Sequence, residues 1–124
     1  KSSIPINMAR KIVGDNKLIG YSAHNVEEAQ YAQNGGADYI SYSPIFLSRP
    51  KGDDIEQKPI GTEALNEVRR ILNIPVIALG GINEYNVTQV MKNGADGIAV
   101  MSSILQSDDP FLAAGKLKEK LLNC

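Results

Sequence analysis

Two short stretches of this sequence have the make-up of an anion cradle. Ile77-Ala78-Leu79-Gly80-Gly81-Ile82 runs an apolar segment into paired glycines. Glycine lets an oxyanion approach the backbone and leaves N–H groups free to donate to it. Farther along, Ile98-Ala99-Val100-Met101-Ser102-Ser103-Ile104 reads as a second apolar strand that ends in two hydroxyl donors. A backbone cradle of this kind holds a phosphate without Lys or Arg. Taken alone, the Gly pair reads equally as a tight turn. The third candidate is His24, the single histidine. Its imidazole titrates near neutrality and suits a general acid or base, although the same ring could simply tie a loop by hydrogen bonds. Cys124 is the only cysteine and stands at the very end, where it reads as a frayed terminal thiol.

The elements that would position these groups alternate regularly. Met8, Ala9, Ile12 and Val13 share a helical face in Ile6–Val13, and Gly14 follows as a stop. Leu18–Ser22 is a short apolar strand. Asn25 and Glu28 form a capping box for a helix that turns Val26, Ala29 and Ala32 inward and stops at Asn34–Gly35. Tyr39–Ser43 is the next strand, and residues 47–61 form a long loop rich in Pro, Gly and charge. Thr62 is placed to cap a helix carrying Leu65, Val68, Ile71 and Leu72 inward. Pro75–Leu79 is an apolar strand, Asn83 caps a helix through Val87, Val90 and Met91, and Gly97–Met101 is the last strand. Asp108 or Asp109 caps the final helix, with Pro110 in its first turn and Leu112, Leu117 and Leu121 on its buried side.

The order α-βα-βα-βα-βα predicts a parallel sheet covered by helices. An internal echo supports a periodic array, since Gly36-Ala37-Asp38-Tyr39-Ile40 returns as Gly94-Ala95-Asp96-Gly97-Ile98. Such an array favours a (β/α)₈ barrel over an open sheet. A barrel needs about 200 residues or more, so the 124 residues here would supply half of one. The chain opens at Lys1 rather than Met, so four further strands are expected upstream, or else in a second copy. Composition excludes other classes. With 43% hydrophobic and 22% charged residues and a net charge of -1, the chain has neither a nucleic-acid nor a membrane-binding character. One cysteine excludes a disulfide framework and favours a cytoplasmic protein.

Four ordered motifs make the sequence resemble the thiamine phosphate synthase and TenI family. They are Tyr21-Ser22-Ala23-His24 with Glu27-Glu28-Ala29; Gly36-Ala37-Asp38-Tyr39-Ile40 with Ser43-Pro44-Ile45-Phe46; Ile74 through Ile82; and Gly94 through Ser102. The resemblance implies the C-terminal half of a parallel (β/α)₈ TIM barrel, helix 4 to helix 8, with four strands. It implies a transferase of thiamine biosynthesis that couples hydroxymethylpyrimidine diphosphate with a thiazole phosphate and releases diphosphate, assisted by Mg²⁺. On that basis Gly80, Gly81, Ser102 and Ser103 would hold the thiazole phosphate, with Ser48. Ser22 would lie near the reacting groups, and Lys51 would stabilise charge on the leaving diphosphate. The Mg²⁺ ligands are expected outside this half, and the fragment alone would be inactive. The TenI branch offers the alternative of a metal-free thiazole tautomerase with His24 as proton carrier. A third reading is a non-catalytic thiazole or thiamine phosphate binder. Three departures from the family pattern bear on the choice. The loop T-x-T-K is here Ser48-Arg49-Pro50-Lys51, the G-P-I segment is Ser43-Pro44-Ile45, and the acidic pair after the fourth strand is matched by Ser2 and Ser3.

Overall fold

The computed structural model describes residues 4–47 and 58–124. Along the chain lie α1 (Ile6–Val13), β1 (Gly20–Ala23), α2 (Val26–Asn34), β2 (Tyr39–Tyr42), α3 (Gly61–Ile71) and β3 (Val76–Leu79). They are followed by α4 (Val87–Lys92), β4 (Gly97–Ala99), α5 (Ser102–Leu105) and α6 (Pro110–Leu122). The four strands form one sheet in sequence order, and each pairs parallel with the next. This is the predicted alternation, with strands one or two residues shorter than their apolar runs.

Strand periodicity sorts the side chains between two faces. Ile40 and Tyr42 of β2 and Val76 and Ala78 of β3 are buried, in a core shared with Ala29 and Ala32 of α2, Leu65 and Val68 of α3, and Val87 and Val90 of α4. Burial pushes the Tyr42 phenol above its ordinary value, and Glu67, Glu27 and Glu28 add to the rise. The opposite face carries Gly20, Ser22, Tyr39, Ser41, Ile77 and Gly97, all of which remain at least partly exposed.

The echoed Gly-Ala-Asp segments are two copies of one clasp. Gly36 and Gly94 turn the chain at φ +94° and +99°, and Ala37 and Ala95 pack into the core. Each Asp then reaches across to the neighbouring strand. Asp38 Oδ2 accepts the Ile19 N–H at 2.7 Å, and Asp96 Oδ2 accepts the Val76 N–H at 2.9 Å. An arginine from an earlier helix closes each clasp. Arg10 lies 2.6 Å from Asp38 and also donates to the Gly14, Lys17 and Gly36 carbonyls. Arg69 lies 3.6 Å from Asp96 and donates to the Ile74 carbonyl. The hydrogen bond from Arg10, then that from Ile19, holds the Asp38 carboxyl below its ordinary value.

Several local expectations are corrected. In α1 the side chain buried is Ile6, while Met8, Ile12 and Val13 of the shared apolar face are exposed, Ile12 by 72%. The described sheet ends at β1 and α1 is tied through Ile6 and Arg10, so nothing among the described residues covers that face. Thr62 does not cap α3, which begins at Gly61 without a side-chain cap. The Ile60 and Gly61 amides bond instead to the Pro44 and Ile45 carbonyls, at 2.7 and 3.0 Å. Leu112 is half exposed, whereas Leu117 is buried and Leu121 partly so. Asn25 and Asp109 cap α2 and α6 as expected. The Glu28 carboxylate of the capping box reaches one residue farther back, to the His24 N–H at 2.8 Å. Asn83 caps the turn before α4 by accepting the Tyr85 and Asn86 amides.

Candidate functional site

All four strands point one way, so their C-terminal ends share one edge of the sheet, where parallel α/β sheets place their chemistry. Leu79 pairs with Ala99. Gly80–Gly81 and the segment leading to Ser102–Ser103 therefore leave adjacent strand ends, about 5 Å apart at the strand spacing.

Both glycines are required by the backbone. Gly80 has φ +107° and Gly81 φ +63°, a region that side chains with a Cβ rarely adopt. A Cβ on Gly80 would stand 2.7 Å from Pro44 Cα and 2.9 Å from Ile45 N. One on Gly81 would stand 2.9 Å from Phe46 Cβ. The segment after β2 thus lies directly on the glycine pair, which explains the pair structurally before any ligand is considered.

That contact also orients the peptide planes. Three successive carbonyls are bonded. Leu79 O accepts from Ile45 N and Gly80 O from Phe46 N, both at 3.0 Å, and Gly81 O accepts from Asn86 Nδ2 at 2.9 Å. A trans peptide points its N–H opposite its C=O. The amides of Gly80, Gly81 and Ile82 are therefore turned away from those partners. The Gly80 amide lies on the side of β4, with which Leu79 pairs, whereas the Gly81 and Ile82 amides have no backbone acceptor among the described residues.

On the neighbouring strand end, the sequence expected Ser102 and Ser103 to finish a strand. β4 instead stops at Ala99, and both serines open the one-turn helix α5. A short extra helix after the last barrel strand is a recurrent phosphate-binding device. Ser103 Oγ is buried and has no hydrogen-bond partner among the described residues. An unpartnered buried hydroxyl costs stability, and it marks a place where an acceptor is missing.

The remaining expected residues lie on the other half of the edge. Ser22 sits on the open face of β1 and accepts a hydrogen bond from Ser41 Oγ at 3.2 Å. Its strand is three places from β4, roughly 14 Å along the sheet, so the serine pair and the glycine–serine pair are separate clusters here. His24 follows β1 directly. Its Nδ1 lies 2.8 Å from the Ser43 carbonyl oxygen, so Nδ1 carries the proton in that contact and Nε2 is the nitrogen left to accept. The ring ties the ends of β1 and β2, the bland role considered for it. Ser48, Lys51, Ser2 and Ser3 lie outside the described residues.

No group of three or more His, Cys, Asp or Glu side chains converges among the described residues. The described side chains therefore assemble no multi-carboxylate Mg²⁺ cage. Two concavities lie elsewhere. One of about 550 Å³ is lined by Pro5, Ile6, Asn7, Tyr31, Asn34 and Gly35, and one of about 370 Å³ by Thr88, Met91, Lys92, Asn123 and Cys124. Neither touches the strand C-termini. Among the described residues no helix is long and apolar enough to cross a membrane.

Sequence reasoning missed Asn86, Ser41, Arg10 and Arg69. The echo itself could have found the arginines, because each precedes its Asp by a similar interval. Asn86 carried no such signal.

Comparison with known proteins agrees with the fold. Residues 1–104 match the family described as thiamine monophosphate synthase. The thiamine-phosphate synthase of Chloroflexus aurantiacus is 44% identical over 118 residues, which are 95% of this chain and 53% of that protein. The enzyme of the same name from Clostridium novyi is 47% identical over 109 residues, 88% of this chain and 52% of that protein. Among solved structures, a thiamine phosphate pyrophosphorylase from Pyrococcus furiosus superposes with a TM-score of 0.86 at 34% identity, covering 98% of this chain and 56% of that one. The chain spans about half the length of the curated relatives it matches.

Proposed function

The chain belongs to the thiamine monophosphate synthase family, and from that membership we propose that it is the phosphate-holding half of a transferase. The transferase would couple hydroxymethylpyrimidine diphosphate with a thiazole phosphate, releasing diphosphate. The observation that carries this reading is the occurrence of free backbone amides at Gly81 and Ile82 and of the unpartnered Ser103 hydroxyl on adjacent strand ends. The thiazole phosphate would accept from both, with Ser102 adding a second hydroxyl and Ser48 a third from the loop. Backbone donors fixed in advance bind an anion without reorganisation. The Ser22–Ser41 pair would face the reacting groups from across the open side of the sheet. Lys51 would stabilise negative charge on the departing diphosphate. Magnesium would supply further charge neutralisation when bound by ligands outside these residues.

The reading includes the barrel. Among the described residues β1 and β4 each leave one edge unpaired, and apolar side chains stand exposed in the segments next to both, Ile12 and Leu18 before β1 and Met101 and Leu105 after β4. Unpaired edges flanked by apolar surface invite further strands. Four more would complete a (β/α)₈ TIM barrel in a cytoplasmic enzyme, supplied by a complementary half or by a second copy in a homo-oligomer. One observation favours a second reading. His24 Nε2 has no partner among the described residues, which leaves a base available for a metal-free, TenI-like thiazole isomerisation.

The test is complementation. Alone, the chain is expected to form no thiamine phosphate. Mixed with the remaining half of a relative such as the Pyrococcus furiosus protein, it should do so in the presence of Mg²⁺. Isomerisation of the thiazole carboxylate phosphate without metal would select the TenI reading. Turnover of neither kind in a properly assembled barrel would reject both.

A further inference from the structure

We infer that Asn86 is a positioning residue that aims the Ile82 N–H into the anion cradle, an inference that rests on the phosphate reading above. The three peptide planes that follow β3 are not held alike. Those of Leu79–Gly80 and Gly80–Gly81 are fixed through their carbonyls by backbone amides of Ile45 and Phe46. The Gly81–Ile82 plane is fixed by one side chain, Asn86, whose Nδ2 donates to Gly81 O at 2.9 Å. The same carboxamide accepts the Asn83 N–H through Oδ1 at 2.9 Å. It therefore spans the turn and grips both its ends.

Glycine is the residue whose flanking peptides rotate most freely. Freed from Asn86, the Gly81–Ile82 plane can turn over and present its carbonyl oxygen where the N–H had been. To a phosphate that exchange is a donor replaced by a repelling acceptor. Ile82 itself is 3% exposed, so its side chain anchors one end of the plane, and Asn86 sets the rotation at the other. Asn83 has a different task. Its Oδ1 accepts the Tyr85 and Asn86 amides and shapes the turn without touching Gly81.

The two asparagines separate a positioning role from a merely structural one. Asn86→Ala and Asn83→Ala are compared in the full chain by thermal melting and by titration with inorganic phosphate, followed through backbone amide resonances. Asn86→Ala should bind phosphate on the order of tenfold more weakly, the worth of one hydrogen bond to a charged group. Its Ile82 amide should lose the shift that phosphate induces in the parent chain. Asn83→Ala should stay within about twofold of the parent affinity even where its melting temperature falls as far. Should Asn86→Ala not fold, Asn86→Ser carries the same expectation, being turn-compatible and too short to reach Gly81. Unchanged phosphate affinity and an unchanged Ile82 response in the Asn86 variant overturn the inference alone. So does a loss of affinity that follows melting temperature equally in both asparagine variants. A parent chain that binds no phosphate removes the cradle reading and this inference with it.

Discussion

Replacing Gly80 by Ala should be among the most damaging single-methyl changes available in this chain. Two costs combine there. The first is conformational, since Gly80 sits at φ +107°, and a left-handed backbone costs a residue with a Cβ about 1–2 kcal/mol. The second is steric. The new Cβ would meet Pro44 Cα at 2.7 Å, Pro44 Cβ at 2.8 Å and Ile45 N at 2.9 Å. The obstacle is mostly backbone, which cannot swing aside as a long side chain can, and overpacking of this sort costs about 1–3 kcal/mol. The sum is about 2–5 kcal/mol. Gly36 provides the internal reference, with φ +94° and nothing within 4 Å of its added Cβ. Gly36→Ala therefore incurs the first cost alone. Urea denaturation of both variants checks the difference. With a denaturant dependence of about 2 kcal/mol/M, Gly80→Ala should lower the midpoint by roughly 1–2.5 M and Gly36→Ala by about 0.5–1 M. Equal losses in the two variants would refute the claim that the segment after β2 lies hard against the glycine pair.

Three further substitutions probe separate parts of the account. Ser103→Ala removes a buried hydroxyl that has no partner. Urea unfolding should show stability unchanged or raised by up to about 1 kcal/mol, while phosphate affinity measured calorimetrically falls. Gly115→Ala, inside α6 with open space around the new Cβ, should stabilise the chain by about 0.5–1 kcal/mol in the same assay. Asp38→Asn tests the clasp through pH. The folded-state pKa of Asp38 is depressed by Arg10 and the Ile19 amide, so its contribution is present above the ordinary aspartate value and is lost as pH falls through the folded one. The stability gap between parent and Asp38→Asn should therefore be open at neutral pH and close below the ordinary value of 3.8.

Periodicity and turn chemistry made the alternation of strands and helices legible, because an apolar run bounded by Gly or Pro has few other uses in a chain this size. Asn25, Asp109 and the glycine stops acted locally and appeared where expected. Features settled by distant partners were not legible. Thr62 has the right chemistry for a cap, but the carbonyls of Pro44 and Ile45 already receive the first amides there. The amphipathic pattern of α1 correctly marked an apolar face, yet the strand that would bury it is not among the described elements. At the site, Gly80–Gly81 and Ser102–Ser103 stood out by residue type. The reason for the glycines is contact with Pro44 and Phe46, from a segment many residues away. Asn86 looked like any polar residue in a turn, because its role lies in one long-range-independent but geometry-dependent bond to Gly81.

The most direct measurement is a crystal structure of the chain grown with thiazole phosphate. The account predicts the phosphate oxygens within about 3 Å of the Gly81 and Ile82 amides and of Ser103 Oγ, with the thiazole ring over the open face toward Ser41 and Ser22. A phosphate seated elsewhere, with the two strand ends closed against each other by side chains, would contradict it.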